Sequence, residues 1–232
     1  GAGLAALRAA LGDVVSTAKE DLHRVSFDAM KVSFPPDALV TPTREEQVGE
    51  LLRLANEHGI PVTARGAGSS LTGSAAPAGG GWVLDLSKMN AFSIDLDERV
   101  CVAQAGAVVA NIQAEAEKSS LFYPPDPSSK KFCTIGGNVA ENSGGPHTLK
   151  YGVTTNHVLG LEVVLPDGEI VTLGGTVEDV PGYDLRGVTI GAEGTFGIVT
   201  QAALRMTRQP QAYRTFLAVF ESVHQATQTV SG

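Results

Sequence analysis

The sequence predicts an α+β fold: a small parallel α/β unit followed by a larger antiparallel sheet flanked by helices. Two observations carry this. Between residues 38 and 86, strand-like apolar runs are interrupted by one amphipathic helix, and a crossover helix between strands implies a parallel sheet. Beyond residue 90 the strand-like runs come in pairs. One pair is joined by Pro166-Asp167-Gly168, and Asp-Gly between alternating apolar runs is a hairpin signal.

The elements follow in order. Residues 1–25 read as a helix, because Leu4, Leu7, Leu11, Val14 and Val15 recur at helical spacing. Residues 1–34 form an N-terminal helical segment, and Pro35-Pro36 close the loop after it. A short strand is expected over 38–40. Thr43 then starts a helix with Glu46 three residues on, the pattern of a capping box. Val48, Leu51, Leu52 and Ala55 give that helix one apolar face, and Gly59 marks its end. Strands are expected over 61–64 and 82–86. Phe92, Ile94 and Leu96, then Val100 and Val102, alternate as a strand pair does. Residues 107–119 read as a helix, and 123–151, rich in Pro, Gly, Ser and Asn, as irregular chain. Strands over 159–165 and 169–173 flank the Asp-Gly turn, and a Gly-rich stretch over 187–197 leads into a strand over 198–206. After Pro210 a strand-like 215–220 and a helix-like 222–230 begin afresh. Such a pair cannot bury a core of its own, so residues 211–232 are expected to open a further domain, with a C-terminal decoration packed on the main body as the other reading. The main domain is then 35–210, in two parts of about 35–90 and 91–210.

Composition narrows the function. A chain of 232 residues that is 43% hydrophobic can bury a sizeable core and is not disordered. With 17 basic against 25 acidic residues, the net charge of −8 argues against a nucleic-acid partner. No apolar run approaches the ~18–20 residues of a membrane span, and no secretory pattern opens the chain, so a cytoplasmic protein with no transmembrane segment is expected. Cys101 and Cys133 do not make a disulfide framework. The five histidines (His23, His58, His147, His157 and His224) lack metal-ligand spacing, so no metal site is expected.

Three Gly-rich segments, holding ten of the 27 glycines, can bring backbone close to a ligand. The first is Arg65-Gly-Ala-Gly-Ser-Ser-Leu-Thr-Gly73, directly after a strand, where successive N–H groups can form a nest for phosphate. Ser69, Ser70 and Thr72 can add hydroxyl donors. The segment lacks the Gly-Lys-Ser/Thr ending of a P-loop, and its G-x-G-x-x-x-x-G spacing is not a dinucleotide fingerprint. A plain surface turn is the other reading. The second runs from Tyr123 to Gly145, a long irregular segment of the kind that is functional or disordered; interleaved Ile135, Val139 and Ala140 argue against disorder. Its small residues permit close approach of a flat ring. The third is Ile190-Gly-Ala-Glu-Gly-Thr-Phe-Gly-Ile-Val199, where Glu193 either meets a ligand or caps the local backbone.

Together these segments resemble the flavin-binding domain of the vanillyl-alcohol-oxidase (PCMH) type, in the branch that includes the glycolate oxidase flavin subunit, D-lactate dehydrogenases and D-2-hydroxyglutarate dehydrogenases. The matching stretches are Pro61-Val-Thr-Ala-Arg-Gly-Ala-Gly-Ser-Ser-Leu-Thr-Gly73, Pro124-Pro-Asp-Pro-Ser-Ser-Lys, Cys133-Thr-Ile-Gly-Gly-Asn-Val-Ala-Glu-Asn-Ser-Gly-Gly145, Lys150-Tyr-Gly152 and Gly191-Ala-Glu-Gly-Thr-Phe-Gly-Ile-Val199. The resemblance covers roughly residues 25 to 210. It implies FAD held between a small α/β part and a larger antiparallel part, followed by a cap domain that supplies much of the substrate site and of which residues 211–232 would be the truncated start. By position, Arg65, Gly66, Ala67, Gly68, Ser69, Ser70 and Gly73 belong to the pyrophosphate loop. Pro125, Asp126 and Ser128 would line the flavin and ribityl region, with Thr134, Gly136, Gly137, Asn138, Ser143 and Gly144 continuing that wall. Glu193, Gly194, Gly197, Ile198 and Val199 would reach the adenosine end. Some relatives attach the flavin through a His in the pyrophosphate loop; Ser69 and Ser70 stand there instead, which implies noncovalent FAD.

The implied activity is oxidation of a small 2-hydroxy acid by hydride transfer to flavin N5, with the electron acceptor open and a homodimer or heteromeric dehydrogenase complex as the assembly. His147 is the one candidate catalytic residue here, against a local packing role; Lys150 and Arg65 are candidate anion binders. Two alternatives share the fold: an electron-carrier or assembly subunit, and an NADPH-dependent flavin reductase. The 133–145 and 191–199 runs favour the hydroxy-acid branch.

Overall fold

The computed structural model describes residues 1–177 and 181–231. The chain opens with helix α1 (Ala2–Leu11), then strand β1 (Val15–Ser16) and helix α2 (Lys19–Arg24). The single helix expected over 1–25 is thus broken. Gly12 at φ 49° ends α1, Val14 closes a short 3-10 turn, and β-branched Val15 moves onto a sheet edge. Strand β2 (Ala38–Val40), helix α3 (Glu45–His58), strand β3 (Val62–Arg65) and strand β4 (Trp82–Asp85) complete the first unit. Its sheet runs β1-β2-β4-β3, with β2 and β3 parallel to β4 and β1 antiparallel at the edge. Val48, Leu51, Leu52 and Ala55 of α3 pack with Leu7 and Leu11 of α1 on Trp82 and Leu84. Burying each such large side chain contributes roughly 1.5–3 kcal/mol.

The capping box at Thr43 and Glu46 does not form. α3 starts one residue later, with Arg44 at the N-cap and no side-chain cap there, and Gln47 Oε1 reaches back to accept from the Thr43 N–H at 2.8 Å. The Gly59 stop does form, in the left-handed conformation (φ 63°, ψ 37°).

The second unit holds strands β5 (Phe92–Asp95) and β6 (Val100–Gln104), helix α4 (Val109–Glu117) and the short strand β7 (Leu121–Phe122). Helices α5 (Ile135–Glu141) and α6 (Thr148–Tyr151) follow, then strands β8 (Val158–Val164) and β9 (Ile170–Gly174), helix α7 (Leu185–Thr189) and strands β10 (Ile198–Arg205) and β11 (Thr207–Arg208). Its main sheet, β5-β6-β10-β8-β9, is antiparallel throughout, so the α+β expectation holds. β7 and β11 form a separate pair. The 123–151 stretch is not wholly irregular. Thr134 caps α5, and Ile135 and Val139, four residues apart, are both fully buried against the sheet.

The two units share a seam. Ala105, Val164 and Ile198 from the second pack into the core of the first. The β8–β9 turn also docks on α3: a Cβ on Gly49 would lie 2.8 Å from the Gly168 carbonyl, and Asn56 Nδ2 donates to the Pro166 carbonyl. Residues 215–220 form no strand; Tyr213, Phe216, Leu217 and Val219 are largely exposed and no β-partner meets them. Helix α8 (Val223–Ser231) follows with no buried residue.

Candidate functional site

A cavity of about 320 Å³ lies over the seam. Its position follows from the topology. The loop after β3 and Leu86 just after β4 both leave the carboxyl ends of parallel strands, where open α/β sheets place ligands.

One wall is the loop 66–72. Among the described residues, the N–H groups of Ala67, Gly68, Ser69, Ser70 and Leu71 donate to no other group of the chain. Five successive unpartnered amides around Gly68 (φ 66°) make a concavity suited to an anion. The loop is held from below. The Arg65 guanidinium, on a residue 9% exposed, donates to the carbonyls of Phe27 (2.8 Å), Val25 (3.3 Å) and Ala75 (3.3 Å). A Cβ on Gly68 would sit 1.9 Å from Arg65 Nη2, so only glycine fits over it. Burial pulls the guanidinium down from its ordinary pKa, while Asp85 and Asp28 oppose that shift. Arg65, a candidate anion binder, lines the cavity with its Nη1 committed to carbonyls beneath the loop and its Nη2 under Gly68.

The opposite wall is α5 and the chain before it. Ser128, Thr134, Gly136, Gly137, Asn138 and Ser143 all face the cavity. Gly136 rests on Ala105, where a Cβ would be 2.8 Å from the neighbouring methyl. Asn138 is 1% exposed, and its Nδ2 is buried without a partner. The third wall hangs on the carboxyl end of α5, whose last carbonyls have no partner within the helix. Val139 O takes the Gly191 N–H at 2.9 Å and Ala140 O takes the Glu193 N–H at 3.0 Å. This brings Glu193, Gly194, Gly197, Ile198 and Val199 to the cavity.

Gly73, Pro125, Asp126, Gly144 and His147 are not in the cavity wall. Pro125 offers its carbonyl to Gln113 Nε2 at 3.0 Å. Asp126 Oδ1 accepts from the His147 N–H at 3.1 Å, and Asp126 Oδ2 lies 3.3 Å from His147 Nδ1, which also lies 3.1 Å from the Pro124 carbonyl. The imidazole stands edge-on to Phe122 and Tyr151. His147 and Asp126 thus brace one another, the packing role weighed against catalysis. Lys150 Nζ lies over the Tyr151 ring at 4.9 Å, away from the cavity. Glu141, Ser74, Leu86, Ala105, Thr189 and Phe196 line the cavity without having been singled out. Leu86 could have been found from its place at the carboxyl end of a parallel strand; no local signal marks the rest.

Burial pushes the Cys101 thiol up to about 12 and raises that of Cys133, so neither is a ready nucleophile. Among the described residues no three His, Cys, Asp or Glu side chains are grouped to hold a metal.

The deciding observation is a match of residues 36–174 to the family described as FAD binding domain. The chain belongs to that FAD-binding family. It is 44% identical over 209 residues to glycolate oxidase subunit GlcD of Bacillus subtilis, covering 89% of this chain and 44% of that protein. It is 42% identical to a D-lactate dehydrogenase of Anaerostipes hadrus, covering 84% of this chain and 41% of the other. It spans less than half the length of these relatives. The fold also matches alkyldihydroxyacetonephosphate synthase, with a TM-score of 0.78, 26% identity, and coverage of 91% of this chain and 44% of that one.

The cavity fits the cofactor of this FAD-binding family. The unpartnered amides of 67–71 suit a pyrophosphate, and the orphaned Asn138 Nδ2 is a donor waiting for an acceptor. Gly66 gives the two walls room to approach, because a Cβ there would lie 2.2 Å from Thr134 Oγ1.

Behind this site His157 is 2% exposed, with Nε2 2.9 Å from the Tyr151 carbonyl, Nδ1 unpartnered, and the ring edge-on to Tyr123 at 6.0 Å. Burial lowers its pKa, outweighing the bond to Tyr151, which raises it, while Arg205 lowers it further. The unfolded chain then binds the proton more readily than the folded one. Stability is therefore expected to fall as pH drops below the ordinary His value of about 6.5, and His157→Gln should flatten that slope in urea unfolding followed across this range.

Proposed function

We propose that this chain is the cofactor half of an FAD-linked oxidoreductase that oxidises a small 2-hydroxy acid. The observation that carries the proposal is the row of free amides at 67–71 facing the orphaned Asn138 amide across one cavity. Glycolate oxidase subunit, D-lactate dehydrogenase and D-2-hydroxyglutarate dehydrogenase relatives, at 38–44% identity, support the substrate class. Bound here, FAD supplies the redox step by accepting a hydride at N5 from the α-carbon of the hydroxy acid.

The chain's own residues bind and orient. The amides of 67–71 hold the pyrophosphate, Asn138 donates to the ribityl or ring region, and Glu193, Gly194, Ile198 and Val199 close the adenosine end. Pro125, Asp126 and Gly144 act from behind, with Asp126 fixed by His147. The base that takes the hydroxyl proton and the cations that hold the carboxylate come from a cap domain that residues 211–232 begin. The exposed Phe216, Leu217, Val219 and Val223 suit a segment that packs on such a domain. Assembly into a heteromeric dehydrogenase fits the relatives named as a glycolate oxidase subunit.

FAD is held noncovalently, since no His stands in the 66–73 loop. Acid precipitation should release all yellow colour into the supernatant, whereas colour kept in the pellet would mean a covalent bond. In the full-length protein, anaerobic mixing with D-2-hydroxy acids should bleach the flavin absorbance. Bleaching by NADPH alone would instead make it a reductase, and bleaching by neither would make it an electron carrier.

A further inference from the structure

We infer that Glu141 is a positioning residue that sets the shape of the phosphate-binding loop from the far side of the cavity. The inference rests on the FAD reading of that loop. Glu141 is the last residue of α5 and also lines the cavity. Its Oε1 accepts from Ser74 Oγ at 2.7 Å and lies 3.5 Å from Thr72 Oγ1. Ser74 Oγ also lies 3.1 Å from Ser70 Oγ, and Ser70 Oγ and Thr72 Oγ1 are 2.8 Å apart. Ser70 Oγ also accepts the Thr72 N–H at 3.1 Å, and the Ser70 carbonyl accepts from the Ala29 N–H at 3.1 Å.

The consequence concerns the amides. Each hydroxyl has one proton to give and can also accept, so a free Ser or Thr hydroxyl readily caps a nearby backbone N–H and competes for it. A single carboxylate oxygen at one end orders the chain: it takes the Ser74 proton, so Ser74 Oγ can only accept from Ser70 Oγ, while Ser70 Oγ accepts the Thr72 amide. That leaves the N–H groups of Ala67 to Leu71 without an internal partner and open to the cavity. The carboxylate acts through the hydroxyls and adds no donor of its own. An acidic side chain beside an anion site disfavours the anion electrostatically, so any benefit of Glu141 to binding comes through the loop it shapes.

The test compares Glu141→Ala, which removes the acceptor, with Glu141→Gln, which keeps an oxygen for Ser74 while dropping the charge. FAD titration of the apoprotein by flavin fluorescence should show Glu141→Ala weakened by about tenfold or more, and Glu141→Gln within about threefold of the parent or tighter. Ser74→Ala should reproduce the Glu141→Ala loss, and the double variant should be no weaker than either alone, because the two act through one bond. The apoproteins should unfold at similar temperatures, since Glu141 is only partly buried. Parental affinity in Glu141→Ala, equal losses in Glu141→Ala and Glu141→Gln, or additive losses with Ser74→Ala would each overturn the inference. Failure of the parent itself to take up FAD would overturn the reading of the loop instead.

Discussion

Arg65→Ala is expected to lower the unfolding free energy of the apoprotein by about 3 kcal/mol and to abolish tight FAD uptake with it. The first effect comes from what the guanidinium leaves behind. Three carbonyls, at Val25, Phe27 and Ala75, lose their donor at once. An unsatisfied buried group costs about 1–3 kcal/mol, so partial relaxation still leaves several. Asp28 Oδ2 is buried without a hydrogen-bond partner, and Arg65 is among the charges that act on it. Asp85 retains Arg24 Nη1 at 3.2 Å, which limits the damage on that side. The second effect follows from geometry: Arg65 ties the 25–27 segment and Ala75 to one point beneath Gly68, and without it the amide row above loses its floor. Arg65→Lys should recover only part of either loss, because an ammonium that reaches the three carbonyls met by Nη1 leaves nothing in the place of Nη2 beneath Gly68. Urea unfolding of the apoprotein and FAD titration check the two effects separately. A variant of parental stability that nonetheless binds no FAD would mean that the side chain touches the cofactor directly.

This reading of Arg65 marks how far the residue order alone carries. The loops were legible because glycine is legible: Gly68 must lie over a guanidinium, Gly66 against Thr134, and Gly136 against Ala105, and composition announces such approaches. The sheets were legible because period-two alternation survives burial on one face, as β9 alternates exposed and half-buried positions between its partner and solvent. Helix α5 was hidden for the same reason the loops were visible. Gly136-Gly137 reads as a breaker, yet the Thr134 cap and the buried pair Ile135 and Val139 hold about two turns of helix. The strand expected at 215–220 failed for the opposite reason, since its apolar side chains meet no sheet edge. Side-chain partners across long separations left no local trace. Nothing near Asp126 in sequence says that it faces His147, 21 residues away, and nothing near Glu141 says that it faces Ser74, 67 residues away.

Asn138 gives an expected result in which stability and binding move in opposite directions. The side chain is 1% exposed and its Nδ2 has no partner, so the apoprotein carries the desolvation cost of a buried donor. Asn138→Leu replaces that amide with an apolar group of similar size next to Ile135 and Val139 on the same helix. The apoprotein should hold its stability or gain up to about 1 kcal/mol, because removing an unsatisfied group removes its penalty. FAD affinity should fall by about 1.5–3 kcal/mol, roughly 10- to 100-fold, because the acceptor that meets Asn138 in the complex now faces a methyl. Asn138→Asp separates the two contributions further: it keeps the shape, replaces the donor by an acceptor and brings a charge to a site built for an anion, so binding should fall at least as far while the apoprotein also weakens. Urea unfolding without cofactor and flavin fluorescence with it provide both readouts on the same preparation. If Asn138→Leu instead destabilised the apoprotein and left FAD affinity intact, the Nδ2 donor would be serving the fold and not the cofactor.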